Sequence, residues 1–469
     1  MMTESPIQLY RPRAAVHPRS VSGRFRNAKY AVLALAYGVF FLLPWLRWTR
    51  EVGPQQALLF DLPARRFYIF DLVVHPQEIF WLAGLLVIAA LLLFFVTGLA
   101  GRVWCGYFCF QTLWTDVYML IERLVQGERP ARTRLAKAPW SADKLLKLGS
   151  THVLWLAVAF ATGLTFTLYW ADAPALTSRF FAGQAPFAAY ATTLLLTVTT
   201  YVFAGLAREQ VCTYMCPYAR FQSVMFDRDT LIVSYDRSRG EGVEGRRKPD
   251  RELKGREARQ AAGHGDCIDC GYCVQVCPTG IDIRDGLQVE CIHCALCVDA
   301  CDGIMDRLGW PRGLVRYTSQ NALEGRRTRL LKPKTLGYGV ALLVATALLI
   351  GSVADHPDIA VSVRQTRNPL SVTLSDGEVQ NRYTVRVDNT SGRQLRLRLV
   401  LDGLPGAQMS VLPSPELRLR PEARRTVYVK VRLRPEPGQA RRLTFRFRLQ
   451  PLGEGEPEPV SVPSQFYTR

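Results

Sequence analysis

The pattern of apolar residues changes character along the chain, from long unbroken runs to strict alternation. Unbroken runs occupy about residues 29–46, 79–100, 150–170, 187–207 and 335–354. Each approaches the roughly 20 residues that a helix needs to cross a bilayer, so five spans are expected. Ile79–Ala100 and Thr335–Ala354 hold no charged residue at all. The first run is the shortest and contains Pro44, with Trp45 and Trp48 beyond it as an interfacial belt. A cleavable signal peptide competes for that run, but a basic tail precedes it and no small-residue cleavage pattern follows. From about Ile359 the period falls to two, as in Tyr383-Thr384-Val385-Arg386-Val387 and Leu443-Thr444-Phe445-Arg446-Phe447, with Pro and Gly between the runs. That alternation predicts an immunoglobulin-like β-sandwich. It carries no cysteine or catalytic constellation and reads as a partner-docking domain or a structural cap.

Charge orients these elements. The chain has a formal net charge of +19, and much of it lies beside the spans. Arg11, Arg13, Arg19, Arg24, Arg26 and Lys29 precede the first span, while Arg123, Arg129, Arg132, Arg134, Lys137, Lys144 and Lys147 follow the second. Basic loops stay inside, which predicts a basic cytoplasmic tail (1–28) and a four-span domain (29–207). A cytoplasmic region (208–334), a fifth span (335–354) and an external β-domain (355–469) follow. Nucleic-acid binding is the competing reading of such a charge, but no recognition module accompanies it.

Cysteines supply the chemistry. Eight of the 12 fall in one stretch as Cys267, Cys270, Cys273, Cys277 and Cys291, Cys294, Cys297, Cys301. This is the doubled C-x2-C-x2-C-x3-C spacing of a bacterial-type ferredoxin with two 4Fe-4S clusters, in which the fourth cysteine of each run serves the other cluster. Cys267, Cys270, Cys273 and Cys301 are therefore expected around one cluster, and Cys291, Cys294, Cys297 and Cys277 around the other. Zinc or disulfides explain isolated C-x2-C pairs but not this double run. Asp302 stands after the second run where Pro278 follows the first, which predicts a local change of loop conformation. The ferredoxin domain is placed at about 260–310, with Asp236–Asp266 as a solvated linker into it.

The other four cysteines form two C-x3-C pairs, Cys105 with Cys109 and Cys212 with Cys216, at the cytoplasmic ends of spans. All 12 cysteines thus sit on the reducing side. Residues at i and i+4 share a helix face, so each pair is expected to offer two sulfurs to one metal. Gly98-Leu99-Ala100 before Cys105 matches Gly205-Leu206-Ala207 before Cys212, and Tyr107 matches Tyr214. This reads as an internal repeat of two helical hairpins, spans one with two and three with four. Thiolates select Cu(I), zinc or an iron–sulfur cluster; copper and a third cluster both remain open at this point, as does simple packing of small cysteine side chains.

The segments C-G-Y-F-C at 105–109, C-T-Y-M-C-P at 212–217 and G-D-C-I-D-C-G-Y-C-V-Q-V-C-P-T-G-I-D-I-R at 265–284, with E-C-I-H-C at 290–294 and G-L-V-R-Y at 313–317, resemble the FixG/CcoG family of cbb3-type cytochrome oxidase accessory proteins. The resemblance spans nearly the whole chain. It implies a bacterial inner-membrane cupric reductase that converts Cu(II) to Cu(I) for the oxidase's copper centre, with copper held by Cys105, Cys109, Cys212 and Cys216. It also implies the oxidase assembly machinery or a copper chaperone or transporter as partner, beside an unidentified electron donor. One departure is that Phe110 follows the first pair where Pro217 follows the second, which puts the geometry at Cys109 in question.

Weaker candidates are a quinol pocket from His75, Glu78, Phe67 and Tyr68, a nitrogen ligand from His152, and His293, expected to be exposed between two cluster ligands. Two rival functions share the motifs. A NapH/NosR-like electron conduit has the same paired cysteines but serves periplasmic reductases, and a copper scaffold would use the clusters structurally.

Overall fold

In the computed structural model, residues 16–50, 53–248, 255–355, 357–391, 393–421, 423–436, 439–453 and 458–468 are described. Arg11 and Arg13 of the basic tail lie outside them. The chain divides into two compact units, one of residues 1–46, 56–69 and 74–349, the other of 47–55, 70–73 and 350–469.

Five helices are long and apolar enough to span a membrane: Arg24–Trp45, Ile79–Ala100, Ala142–Leu168, Phe187–Ala207 and Pro333–Ala354. Leu82, Leu85 and Leu86 of the second span and Leu336, Leu343 and Leu348 of the fifth are exposed. Helices apolar on all sides belong in lipid, and this is a membrane protein. The third and fourth spans pack closely because Gly163 leaves room: a Cβ there would stand 2.5 Å from the Thr193 carbonyl oxygen. The Thr167 and Thr193 hydroxyls meet at 3.0 Å nearby, small and polar residues serving as glue between spans.

The first span does not pair with the second in the same way, which corrects the expected hairpin equivalence. It turns instead toward the third, where Tyr169 OH donates to the Phe40 carbonyl at 2.9 Å. It is also anchored to the ferredoxin region. Its first turn has no cap of its own, and Asp299 accepts from Arg26 N–H at 2.8 Å and Phe25 N–H at 3.3 Å. Lys29 is fully buried against Asp116, 2.9 Å away.

The cluster region is clasped by an antiparallel strand pair, Ile232–Tyr235 with Val315–Thr318. The expected linker before it is structured where described, a second correction. It carries helices Arg237–Glu241 and Arg256–Ala261, and buried Asp266 binds Arg239 at 2.6 Å and Arg256 at 2.9 Å. Arginines that looked solvated in composition are matched to one carboxylate. At the end of the second cysteine run, Asp302 lies inside helix Leu296–Leu308 and accepts from Gly313 N–H at 2.9 Å. A proline there would clash with the helix backbone, so the departure trades a loop for a continuous helix.

The second unit holds the expected β-sandwich. One antiparallel sheet runs Gln408–Leu412, Arg424–Leu433, Val379–Asn389, Ile359–Gln365, with Val372–Thr373 also on Val379–Asn389. The other runs Glu416–Leu419, Leu395–Asp402, Arg442–Pro451, Val460–Tyr467. Alternate residues Val427, Val429 and Val431 of one sheet and Phe445, Phe447 and Leu449 of the other are buried, as two inward faces of a sandwich require.

Candidate metal and electron-transfer centre

Both C-x3-C pairs sit where a span ends in the same unusual turn. Gly101 closes the second span at φ 59°, ψ −127°, and Arg208 closes the fourth at φ 40°, ψ −110°. Such left-handed backbone suits glycine and strains arginine. Arg208 is held there by an ion pair with Glu122, a bond from its Nε to the Gly205 carbonyl at 2.8 Å, and the Trp155 ring 5.1 Å from its guanidinium. Glu122 also binds Arg132 at 3.0 Å.

After each turn comes a short helix with the first cysteine, Val103–Tyr107 for Cys105 and the π-helical turn Val211–Met215 for Cys212. The second cysteine is extended and caps the next helix: Cys109 has φ −63°, ψ 125° before Phe110–Gln126, and Cys216 has φ −81°, ψ 110° before Pro217–Met225. The pairs therefore do not share one continuous helix face, a third correction. Pro217 causes this break at Cys216, since a residue before proline is driven out of the α region. At Cys109 the same geometry arises without proline: the Phe108 and Cys109 N–H groups both close on the Trp104 carbonyl, and Thr112 Oγ1 donates to the Cys105 carbonyl at 2.6 Å. Phe110 thus leaves the local geometry unchanged.

The two halves cross. Helix Pro217–Met225 packs on the second span, and Phe110–Gln126 on the end of the fourth. Gln222 Nε2 donates to Thr97 Oγ1 at 3.1 Å, and Gln111 Nε2 to the Phe203 carbonyl at 2.8 Å. This exchange brings the four thiols into one neighbourhood. Cys105 is buried and donates to Gln222 Oε1 at 3.3 Å. Burial pushes the Cys105 thiol up to about 11 and that of Cys212 up to about 12, and it raises Cys109 as well. The charges of Cys109 and Cys105 add to the shift at Cys212, while Arg102 opposes it. Among the described residues no three His, Cys, Asp or Glu side chains stand at the spacing of a single bound ion.

The eight other cysteines line two neighbouring cavities. One is bounded by Cys267, Cys270, Cys273 and Cys301 with Tyr235, Ile304, Met305, Leu314 and Val315. The other is bounded by Cys277, Cys291, Cys294 and Cys297, and also Cys273, with Val233, Ile281, Ile283 and Ile292. All eight are free thiols. Four sulfurs around an apolar hollow fit an iron–sulfur cluster, and the groups follow the crossed partition expected from spacing.

The two thiol regions touch. Cys105, Ile292 and Cys294 belong to one buried cluster with Val276, Leu296 and Ala300. Gly106 makes this approach possible, because a Cβ there would stand 2.8 Å from the Ile292 carbonyl oxygen and 3.0 Å from Cys294 Cα. Tyr107 OH donates to the Cys294 carbonyl at 3.1 Å.

His293 is buried rather than exposed, a further correction. Its Nδ1 accepts from Arg102 N–H at 3.0 Å and its ring stacks on Phe226. Burial and the Arg102 charge push it down to about 3, so the imidazole is neutral. His152 meets Tyr201 OH, 3.0 Å from its Nδ1, and the Trp155 ring. His75 and Glu78 form a capping box ahead of the second span, with His75 N–H donating to Glu78 Oε2 at 2.8 Å. Phe67 and Tyr68 lie in the hairpin Leu58–Asp61 with Arg66–Ile69. Arg102 and Gln222 were missed in the sequence; a charge directly after an uncharged span was the available signal for Arg102.

Three family profiles match the chain: a 4Fe-4S binding domain at residues 82–126, a 4Fe-4S dicluster domain at 207–320, and the IG-like fold at the C-terminal of FixG at 349–469. The nitrogen fixation protein FixG of Rhizobium meliloti (strain 1021) is 43% identical over 441 residues, covering 86% of this chain and 82% of that protein. Protein RdxA of Cereibacter sphaeroides is 41% identical over 468 residues, 97% of each, and protein RdxB of the same organism 41% identical over 473 residues, 96% of this chain and 95% of its own. Identity of this extent over spans, cysteine runs and β-domain alike makes the chain a member of the FixG family, an iron–sulfur membrane protein of electron transfer.

Proposed function

We propose that this protein is a cupric reductase of the bacterial inner membrane, delivering Cu(I) for assembly of the copper centre of a cbb3-type oxidase. The observation that carries the reading is the buried contact of Cys105 with Cys294 and Ile292, which joins the paired thiols to the ferredoxin loops. When bound by the eight cysteines, 4Fe-4S clusters supply one-electron carriage. Reduction of Cu(II) to Cu(I) consumes one electron, so no thiol need be oxidised.

Cys105, Cys109, Cys212 and Cys216 hold the copper. Soft sulfur favours the cuprous product over the cupric substrate, which draws the reaction forward. Gln222 orients the Cys105 sulfur, and Gly106 keeps the ferredoxin loop against it. Basic loops keep the ferredoxin region cytoplasmic, near a cytoplasmic donor, and place the β-domain outside, where it docks the assembly machinery or a copper chaperone or transporter.

Stopped-flow mixing of the anaerobic, dithionite-reduced protein with Cu(II) tests the reading. The visible absorbance bleached by dithionite should return as the clusters are oxidised, with Cu(I) appearing in a chromophoric chelator in step. Reduced clusters that persist without Cu(I) would reject copper as acceptor and favour a conduit to another reductase.

A further inference from the structure

The first sheet of the β-domain turns a field of cations outward. Alternate residues pointing away from its core include Arg364 on Ile359–Gln365, Arg382 and Arg386 on Val379–Asn389, and Lys430 and Arg432 on Arg424–Leu433. The four arginines are exposed and Lys430 is half-buried. Register sets Lys430 directly opposite Arg382, and like charges so placed destabilise a sheet. The carboxylate in register on this face, Asp388, is bound by Arg424 at one end. At the other end Glu378 and Arg434 follow the last registered pair, Val379 with Leu433, and add one charge of each sign. The five cations between them are left without a counter-charge on the face itself.

The row between Lys430 and Arg386 holds Leu412 opposite Tyr428, 49% and 60% exposed. A tyrosine and an aliphatic side chain ringed by Arg and Lys have the composition of a membrane-interface contact. The chain itself brings the membrane near. Ala354 ends the fifth span, and Ile359 begins the edge strand of this same sheet. Five peptide steps reach at most about 18 Å, so the sheet starts close to the headgroups around its own span. The outer face of the other sheet is also basic, with Arg396, Arg398, Arg418, Arg442, Arg446 and Arg448. There, however, Glu416 pairs with Arg398, Asp402 stands opposite Arg446, and among the described residues the strands expose no large apolar side chain.

We propose that the face of Arg364, Arg382, Arg386, Lys430 and Arg432 docks on the anionic phospholipid headgroups of the membrane that holds the fifth span, with Tyr428 and Leu412 entering the interfacial layer. The attraction is electrostatic, with a range of about 8 Å at physiological salt, and grows with each basic residue brought to the surface. Docking turns the outer face of the other sheet away from the lipid, where a protein partner can reach it. Neither copper nor the clusters take part, so this inference stands or falls separately from the proposed reductase.

The test is acetylation of the full-length protein in nanodiscs by acetic anhydride, an uncharged reagent. Mass spectrometry follows Lys430, the single lysine among residues 355–469. In discs of equal parts phosphatidylglycerol and phosphatidylcholine, Lys430 should react about fivefold or more slowly than in pure phosphatidylcholine, fivefold being the weight of about one basic residue at an anionic surface. High salt should remove the difference. Arg382→Glu with Arg386→Glu should abolish the protection. Tyr428→Ser with Leu412→Ser, which leaves every charge in place, should remove most of it. Arg442→Glu with Arg446→Glu, on the other sheet, should leave it intact. Equal acetylation in the two discs overturns the proposal and assigns the face to an acidic protein instead. Protection that survives either pair of substitutions on the first sheet, or is lost with Arg442 and Arg446, overturns it equally.

Discussion

The two C-x3-C halves arrive at one backbone by different chemistry. In the first, Gly101 takes the left-handed turn without strain, and Cys109 is extended although Phe110 follows it. In the second, Arg208 occupies the same turn and Pro217 enforces the extended cysteine. Residue identity differs at both hinge points while the turn and the placement of the sulfur pair persist. What the halves share is where the sulfurs sit, and the strain of an arginine in a glycine's conformation is offset by the Glu122 network.

Breaking both halves at the sulfurs should have the largest effect. Cys105→Ser with Cys212→Ser is expected to lower the rate of Cu(I) formation by roughly a hundredfold or more, since even outer-shell losses at metal sites cost 10–100-fold. Cluster iron content should not change. Retained Cu(I) production would remove the four thiols from the copper site.

The halves should then part in their dependence on Glu122. Glu122→Gln strands Arg132 and Arg208, both largely buried, and removing one partner of a buried ion pair costs about 3–5 kcal/mol. Thermal unfolding in detergent should show that loss, and an accompanying change of reactivity should appear at Cys212 and Cys216 before Cys105. Equal disturbance of both pairs would mean that the halves are not independently braced.

A subtler difference is in pH. The Cys105 and Cys212 thiols are raised from an ordinary 9.0 to about 11 and about 12, so at neutral pH each is protonated and must release a proton to bind metal. Cu(I) affinity should accordingly rise with pH by about tenfold per unit for each thiol deprotonated, and continue through pH 9. A plateau beginning near pH 9 in competition titrations would show unperturbed thiols.

The smallest effect is expected from making the halves alike. Phe110 is exposed at the first position of its helix and Cys109 before it is already extended. Phe110→Pro should therefore change stability by less than about 1 kcal/mol, measured as the midpoint of thermal unfolding. A large loss would show that the Phe110 N–H or ring has a role beyond the turn.

Much of this organisation was legible because its signals are local. A span is about 20 apolar residues in a row, and Ile79–Ala100 matches its run to the residue. The cluster spacing lies within 35 consecutive residues, Cys267 to Cys301, and the cavities group those cysteines as the spacing predicts. The alternation at Val427, Val429 and Val431 matches their burial. The errors arose where a local rule met a distant neighbour. The i, i+4 rule failed at both cysteine pairs because the helices break there, and His293 looked solvated because Gly101 and Phe226 lie far from it in sequence.

Five spans, eight cluster-type cysteines, a matched second set of four and a β-domain without cysteine can all be read from local sequence. Contacts between distant segments bring the four beside the eight, through Gly106 against Ile292 and Cys294, and bury Arg102 where no carboxylate among the described residues pairs with it. The physical reason lies in range: periodicity and ligand spacing are set by a few neighbouring residues. Which side chains meet in the interior depends on contacts between segments nearly 190 residues apart, such as Arg102 with Val289.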